Sequence, residues 1–334
     1  MGAVPLLHGG DLGAARRQFP DALEPLIDLS TGINPHSYPL PQLPPELFAR
    51  LPEEAAPRRL AAAAAQAYGA ASPDEVVPAP GTQILLPLVA ALLPPGRARI
   101  LGPTYSEHLR VARLAGHSAE EVTEIGDLAD ADLAVVVNPN NPDGRIVGKA
   151  SLLALADGQS RRGGLLVVDE VFMDVGPAGT SLAGEVGRGH LVVLRSFGKF
   201  FGLAGLRLGF ALASAPIAAR LAASLGPWAV AGPAIAIGEA ALADVAWAQA
   251  TREALDQGAR RLDALLAGAG LDVVGGTSLF RLVRTPAAGE LFHQLGRAGI
   301  VVRRFAEQPA WLRFGLPHGE EAWRRLRTAL STCP

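Results

Sequence analysis

A single cysteine, Cys333, stands among 334 residues. One thiol excludes an intrachain disulfide and any cysteine cluster that could hold structural zinc, so no metal site is expected, and a reducing cytoplasm suits the chain. Neither charge is in excess: 30 Lys and Arg face 32 Asp and Glu, for a formal net charge of −2. That balance argues against a nucleic-acid-binding polycation and against a disordered polyanion. A convincing membrane span is missing too. The longest uncharged stretch, "LAASLGPWAVAGPAIAIG" from Leu221, carries two prolines and three glycines, and it reads as a loop followed by a helix start. The opening "MGAVPLLHGGDLGAARRQ" has no basic segment before its short apolar run, so no signal peptide is expected, and Leu6 stands where a myristoylation motif requires Ser or Thr. No internal repeat is evident.

Hydrophobic residues make up 49% of the chain, and the length suits one large domain with a smaller partner. After Gly81 short apolar runs alternate with helical stretches. "RARILG" leads to "YSEHLRVARLAG", "DLAVVVNP" to "SLLALADGQSRRGG", and "HLVVLRSFG" to "GLAGLRLGFALA", the last also read as helical. Continuous apolar strands separated by helices mark a mainly parallel sheet covered on both faces. Beyond Pro233 a long helical stretch, "AIAIGEAALADVAWAQATREALDQGARRLDALLAG", precedes the short strands "LDVVGG", "SLFRLVRT", "GIVVRRF" and "WLRFGLP" of an α+β domain. The expected division is an N-terminal arm at 1–39, a large domain at 40–235, and the long helix with a small domain at 236–334.

In an open parallel sheet the loops after the strands face a common crevice. Four such places hold chemically useful groups: Gly81, Thr82 and Gln83 before an apolar helix; "NPNNPDG" after Val137; Asp169 after "LLVV"; and Ser196 with Lys199 after "LVVL". Each has a competing structural reading. A Gly-Thr pair caps helices, an Asn-Pro run makes turns, an aspartate caps a helix or pairs with a cation, and Lys199 and Arg207 suit a solvated surface or an ion pair.

Their joint order resembles the fold-type I pyridoxal-phosphate enzymes of the class I/II aminotransferase branch. The resemblance rests on "APGTQ", "PTY", "NPNNPDG", "DE" and "SFGKFFGLAGLRLG", and spans about the whole chain. It implies a large domain with a mainly parallel seven-stranded sheet plus a small α+β domain. It also implies pyridoxal 5'-phosphate as cofactor, Lys199 as the amine that joins it, and Asp169 as the carboxylate at the pyridine nitrogen. Ser196, Arg207 and the Gly81–Thr82–Gln83 loop would hold the cofactor phosphate, Tyr105 would stack on the ring, and Asn141 would bond the ring hydroxyl oxygen. Arg313, in "WLRFGLP", matches the arginine that grips the substrate carboxylate. A homodimer is implied as well.

Two further segments, "HGGDLGAARRQF" and "LIDLSTGINPHSYP", resemble the threonine-phosphate decarboxylases of cobalamin biosynthesis. That likeness implies conversion of L-threonine O-3-phosphate to (R)-1-amino-2-propanol O-2-phosphate and CO2. Gly32 and Asn34 would line the substrate pocket, with His8, Arg303 or Arg304 for the substrate phosphate. Strand neighbours point to opposite faces, so one of the two arginines is expected to be solvent-exposed, and motif position favours Arg303. Three positions depart from common relatives: Phe172 and Leu51 stand where tyrosine is frequent, and Asp143 replaces a threonine. The competing expectations are an aminotransferase of the histidinol-phosphate type and a catalytically inactive pyridoxal-phosphate binder or regulatory domain.

Overall fold

The computed structural model describes residues 9–331. Two compact units result, one of Ser37–Ala248 and one joining the chain up to His36 with the chain from Gln249. The sequence placed these joints at 39/40 and 235/236. The helix Gly232–Ala243 packs on the helix Ala55–Tyr68 of the larger unit. A Cβ on Gly238 would lie 2.7 Å from Leu208 Cδ2 and 2.8 Å from Leu60 Cδ1, so this helix belongs to the larger unit's core.

In the larger unit seven strands form one sheet, in spatial order Val76–Ala79, Gly209–Ala213, Leu191–Ser196, Leu165–Asp169, Leu133–Val137, Arg97–Leu101 and Ser118–Val122. Gly209–Ala213 runs antiparallel to both its neighbours, and the remaining pairs are parallel. Every residue of the strands Leu133–Val137, Leu165–Asp169 and Leu191–Ser196 is buried, which is why they read as unbroken apolar runs rather than alternating ones. On one face Val135, Val167, Leu194 and Ala211 pack with Leu85, Leu86 and Val89 of the helix Thr82–Ala90. Burial of each such side chain stabilises by roughly 1.5–3 kcal/mol, and here it anchors the helix whose N-terminus opens the site.

Three local readings change. "GLAGLRLGFALA" is a short turn over Ala204–Leu206 followed by the strand Gly209–Ala213, because a strand buried on both faces has no period that separates it from a buried helix. The stretch from Leu221 begins as the last turn of the helix Ala215–Leu225 before its loop. The long helical stretch breaks at Asp244, whose carboxylate accepts from the Trp247 amide at 2.9 Å and starts the helix Val245–Gly268. None of the described helices is long and apolar enough to cross a membrane.

The smaller unit carries a five-stranded sheet, in order Ile27–Leu29, Ile300–Phe305, Gln308–Gly315, Phe280–Arg284 and Asp272–Thr277. Its first pair is parallel and the rest antiparallel. The helix Ala288–Arg297 packs on this sheet, burying Leu291, Phe292 and Leu295.

Candidate active site

Parallel register sets the functional strand ends of the larger unit beside one another. Val137 pairs with Asp169, and Asp169 with Leu194, two residues before Ser196. Asp169 is only 3% exposed. Its Oδ2 lies 2.8 Å from Nε2 of His108, itself buried, and its Oδ1 accepts from the Val171 amide at 3.2 Å. A carboxylate so deeply placed needs such partners, because burying an unpaired charge is costly.

His108 comes from the helix Glu107–Leu114, and the sequence reading did not single it out. Its ring meets Tyr105 edge-on at 6.0 Å, and the signal available was its spacing, three residues beyond that tyrosine at a helix start. The Tyr105 hydroxyl donates to Gln83 Oε1 at 3.1 Å, and Gln83 Nε2 donates to Glu107 Oε2 at 2.7 Å. The Gln83 side chain thus positions Tyr105, which leaves its backbone N–H as the group available to an anion. Asn138 and Asn140 shape the neighbouring loop. Asn138 exchanges bonds with the Val147 backbone at 3.1 and 2.9 Å, and Asn140 Nδ2 donates to Pro103 O at 3.0 Å and Asp143 Oδ1 at 2.8 Å. Half-buried Asn141 follows them. Asp143 therefore serves the turn as an acceptor that threonine's hydroxyl would supply differently.

Gly81 precedes the helix Thr82–Ala90 with φ of 86°, a backbone state that glycine adopts without strain. The Arg207 guanidinium lies directly against it: a Cβ on Gly81 would be 2.7 Å from Arg207 Nη2. Gly209 is equally tight, since its Cβ would stand 2.6 Å from the Thr82 amide nitrogen. Arg207 has left-handed φ and ψ of 54° and 60°, and its Nη1 donates to Ala204 O at 3.0 Å. Non-glycine residues adopt that conformation at a cost and do so disproportionately at functional sites. Ser196 caps the short helix Phe197–Phe200, which carries Lys199, and the lysine Nζ lies 5.7 Å from the centroid of Phe172. Helix N–H groups, a guanidinium and a serine hydroxyl form a donor set for a phosphate ester, and Lys199 and Asp169 supply an amine and a carboxylate in the same unit.

The smaller unit holds a second cationic group. Arg303 and Arg313 face each other across neighbouring antiparallel strands and therefore share one face of the sheet. Arg304 projects the other way, its guanidinium 4.9 Å from the Phe292 ring centre. Arg313 is buried, donates from Nη2 to Ser30 O at 2.9 Å, and stands 5.0 Å from the Phe280 centroid. Burial and the charge of Arg303 bring its pKa down to about 9, against the opposing pull of Asp28. Gly32 and Asn34 are buried, and Asn34 Oδ1 accepts from the His36 amide at 2.8 Å. His8 lies outside the described residues. Among the described residues no group of three or more His, Cys, Asp or Glu could hold a metal ion.

Residues 24–330 match the model of the aminotransferase class I and II family. The chain is 44% identical to the threonine-phosphate decarboxylase of a Sinorhizobium species, covering 98% of each chain. It is also 44% identical to that of Pseudomonas aeruginosa, covering 97% of each. Its fold superposes with a TM-score of 0.79 on the histidinol-phosphate aminotransferase of Sinorhizobium meliloti in complex with pyridoxal-5'-phosphate, at 20% identity over 99% of this chain and 97% of that one. With its family match running nearly end to end, the chain belongs to the class I and II aminotransferases.

Proposed function

We propose that the chain is a pyridoxal-phosphate-dependent decarboxylase that converts L-threonine O-3-phosphate to (R)-1-amino-2-propanol O-2-phosphate and CO2, a step of cobalamin biosynthesis. The observation that carries this reading is the 44% identity, over 98% of both chains, to a threonine-phosphate decarboxylase. Pyridoxal phosphate supplies an electron-accepting ring that takes up the electron pair left on Cα when CO2 departs. The chain's own residues do the rest. Asp169, held by His108, keeps a proton on the pyridine nitrogen, and the Thr82 and Gln83 amides, Ser196 and Arg207 bind the cofactor phosphate. Tyr105 would stack on the ring and Asn141 would bond its hydroxyl oxygen. Lys199 anchors the cofactor and returns the one proton that Cα needs.

Arg313 grips the substrate carboxylate and Arg303 its phosphate, with Gly32 and Asn34 lining the pocket. Which bond at Cα breaks would depend on how the chain's residues orient the substrate carboxylate, decarboxylation and transamination sharing the same electron-accepting group. We assign that choice to Arg313, because a planar guanidinium fixes the orientation of a carboxylate it holds. The active form is a homodimer. Leu40, Phe48 and Leu51 are 64%, 70% and 65% exposed, and a second copy would cover this apolar surface.

The test is incubation of cofactor-loaded protein with L-threonine O-3-phosphate without a keto acid, following CO2 and aminopropanol phosphate by mass spectrometry. Multiple turnovers are expected. No CO2, with conversion of the cofactor to its pyridoxamine form by histidinol phosphate, would overturn the reading in favour of an aminotransferase.

A further inference from the structure

Ser30 ends the short strand Ile27–Leu29, and its atoms are used from three directions. Its hydroxyl donates to Asp28 Oδ1 at 2.6 Å, and the same oxygen takes the Ser30 amide at 2.8 Å. With its one proton committed to Asp28, the hydroxyl accepts from the Gly10 amide at 2.8 Å. The Ser30 carbonyl accepts from Arg313 Nη2 at 2.9 Å.

Backbone contacts close around the same peptide. A Cβ on Gly9 would collide with Ser30 O, and one on Gly315 would collide with Thr31 O. Gly9 thus stands directly against the carbonyl that receives Arg313, and Gly315 against the carbonyl of the next residue, each leaving no space for a side chain. In the sheet Asp28 pairs with Val301, two residues before Arg303, so Asp28, Arg303 and Arg313 lie on one face. Asp28 reaches the pivot of the arginine through Ser30, on a face that carries two guanidinium groups and this carboxylate.

We propose that Asp28 and Ser30 are positioning residues for Arg313, fixing the carbonyl that sets the plane of its guanidinium and so the angle at which the substrate carboxylate is held. The inference rests on the proposed decarboxylase reading and extends it to reaction choice. A guanidinium is a planar fork, and a carboxylate gripped by it takes the orientation of that plane. The Phe280 ring, its centroid 5.0 Å from the guanidinium carbon, limits tilt, and the bond to Ser30 O restrains rotation. Without the Ser30 hydroxyl the charge of Arg313 remains but its direction is no longer held; loss of Asp28 also removes a carboxylate that favours that charge, so Ser30→Ala isolates direction.

Two readouts test this on Ser30→Ala and Asp28→Asn. First, calorimetry on cofactor-free protein compares L-threonine O-3-phosphate with its carboxylate-free counterpart, aminopropanol phosphate. Both ligands share the phosphate, so their affinity ratio isolates the carboxylate. We expect that ratio to fall at least fivefold in each variant, towards the floor set by Arg313→Lys. Second, the loaded enzymes are compared for CO2 released per cofactor converted to the pyridoxamine form, and the variants should shift at least fivefold towards the latter. Variants that keep both the wild-type ratio and the wild-type partition, whatever their overall rate, would reduce Asp28 and Ser30 to scaffold and overturn the proposal. If one variant fails to fold, the other decides by the same two readouts. Should wild-type protein release no CO2, the decarboxylase reading fails while the binding ratio still judges the positioning.

Discussion

His108 Nε2 lies 2.8 Å from Asp169 Oδ2, and both residues are 3% exposed. The pair makes this carboxylate a fixed object rather than a mobile one. A hydrogen bond to a charged group contributes about 1.5–3 kcal/mol, and each 1.36 kcal/mol of barrier is a factor of ten in rate. His108→Leu should therefore lower kcat by about 10–100-fold, and Asp169→Asn by more, because it removes the charge itself. Steady-state kinetics at fixed saturating cofactor check this, and an unchanged kcat in His108→Leu would show that the pair is only structural.

The glycines packed against Arg207 and the Thr82 amide make a second prediction, one about cofactor affinity. A methyl group on Gly209 would meet the Thr82 amide nitrogen at 2.6 Å, where neither backbone can yield cheaply. Gly209→Ala should push the Thr82 N–H out of line and weaken cofactor binding by roughly tenfold or more, comparable to loss of one charge-assisted hydrogen bond. Arg207→Ala should weaken it by about 10–100-fold. Equilibrium titration of cofactor-free protein, read by the cofactor's absorbance, gives both values.

Stability should respond most sharply at a buried cluster on the other side of the same strand ends. Arg195 donates to Glu170 at 3.1 Å and to Asp174 at 2.7 Å, and its guanidinium lies 4.3 Å over the Tyr68 ring. All three charged residues are buried, so removing the cation strands two carboxylates in the interior. Arg195→Met should destabilise the fold by about 3–5 kcal/mol, visible as a lower denaturant midpoint. A midpoint within error of wild type would show that the cluster relaxes into solvent.

Much of this was legible before any coordinates. "LAVVV", "LLVVD" and "LVVL" announce central strands because burial on both faces demands apolar residues at nearly every position, and the lysine motif marks the turn after the third of them, where a short helix carries Lys199. Edges were harder to see. Ser118–Val122 is a polar edge strand, "SAEEV", half in solvent, and it carries no pattern that distinguishes it from a loop. Val76–Ala79 contains a proline, which argues against a strand except at an edge, where it lies. Arg303 and Arg304 are chemically equal in sequence, and only the register opposite Arg313 shows which of them shares its face. The bond from His108 to Asp169 spans 61 residues, a relation that no local spacing encodes.

Arg313 offers a test in which binding and stability move in opposite directions with pH. Burial, with help from Arg303, lowers its pKa from the ordinary arginine range to about 9, so it is charged at neutral pH and should discharge where an ordinary arginine does not. Affinity for a carboxylate requires the charged form, and the ratio of L-threonine O-3-phosphate to aminopropanol phosphate binding should decline as pH rises through about 9. Comparing the two ligands cancels the titration of the phosphate and of Arg303, which both ligands meet, and subtracting the Arg313→Gln profile removes that of the ligands' own unlike amines. Stability follows the other sign. Below about pH 9 the arginine is protonated in both folded and unfolded chains, and the full cost of burying the charge is present. Above about pH 9, and below the ordinary arginine range, the unfolded chain holds a proton that the folded one has released, so this group's contribution to stability improves as pH rises. Arg313→Gln should flatten the binding-ratio profile and remove that alkaline gain. A wild-type ratio that stays constant to pH 10 would mean that Arg313 keeps its proton, or that it does not meet the carboxylate.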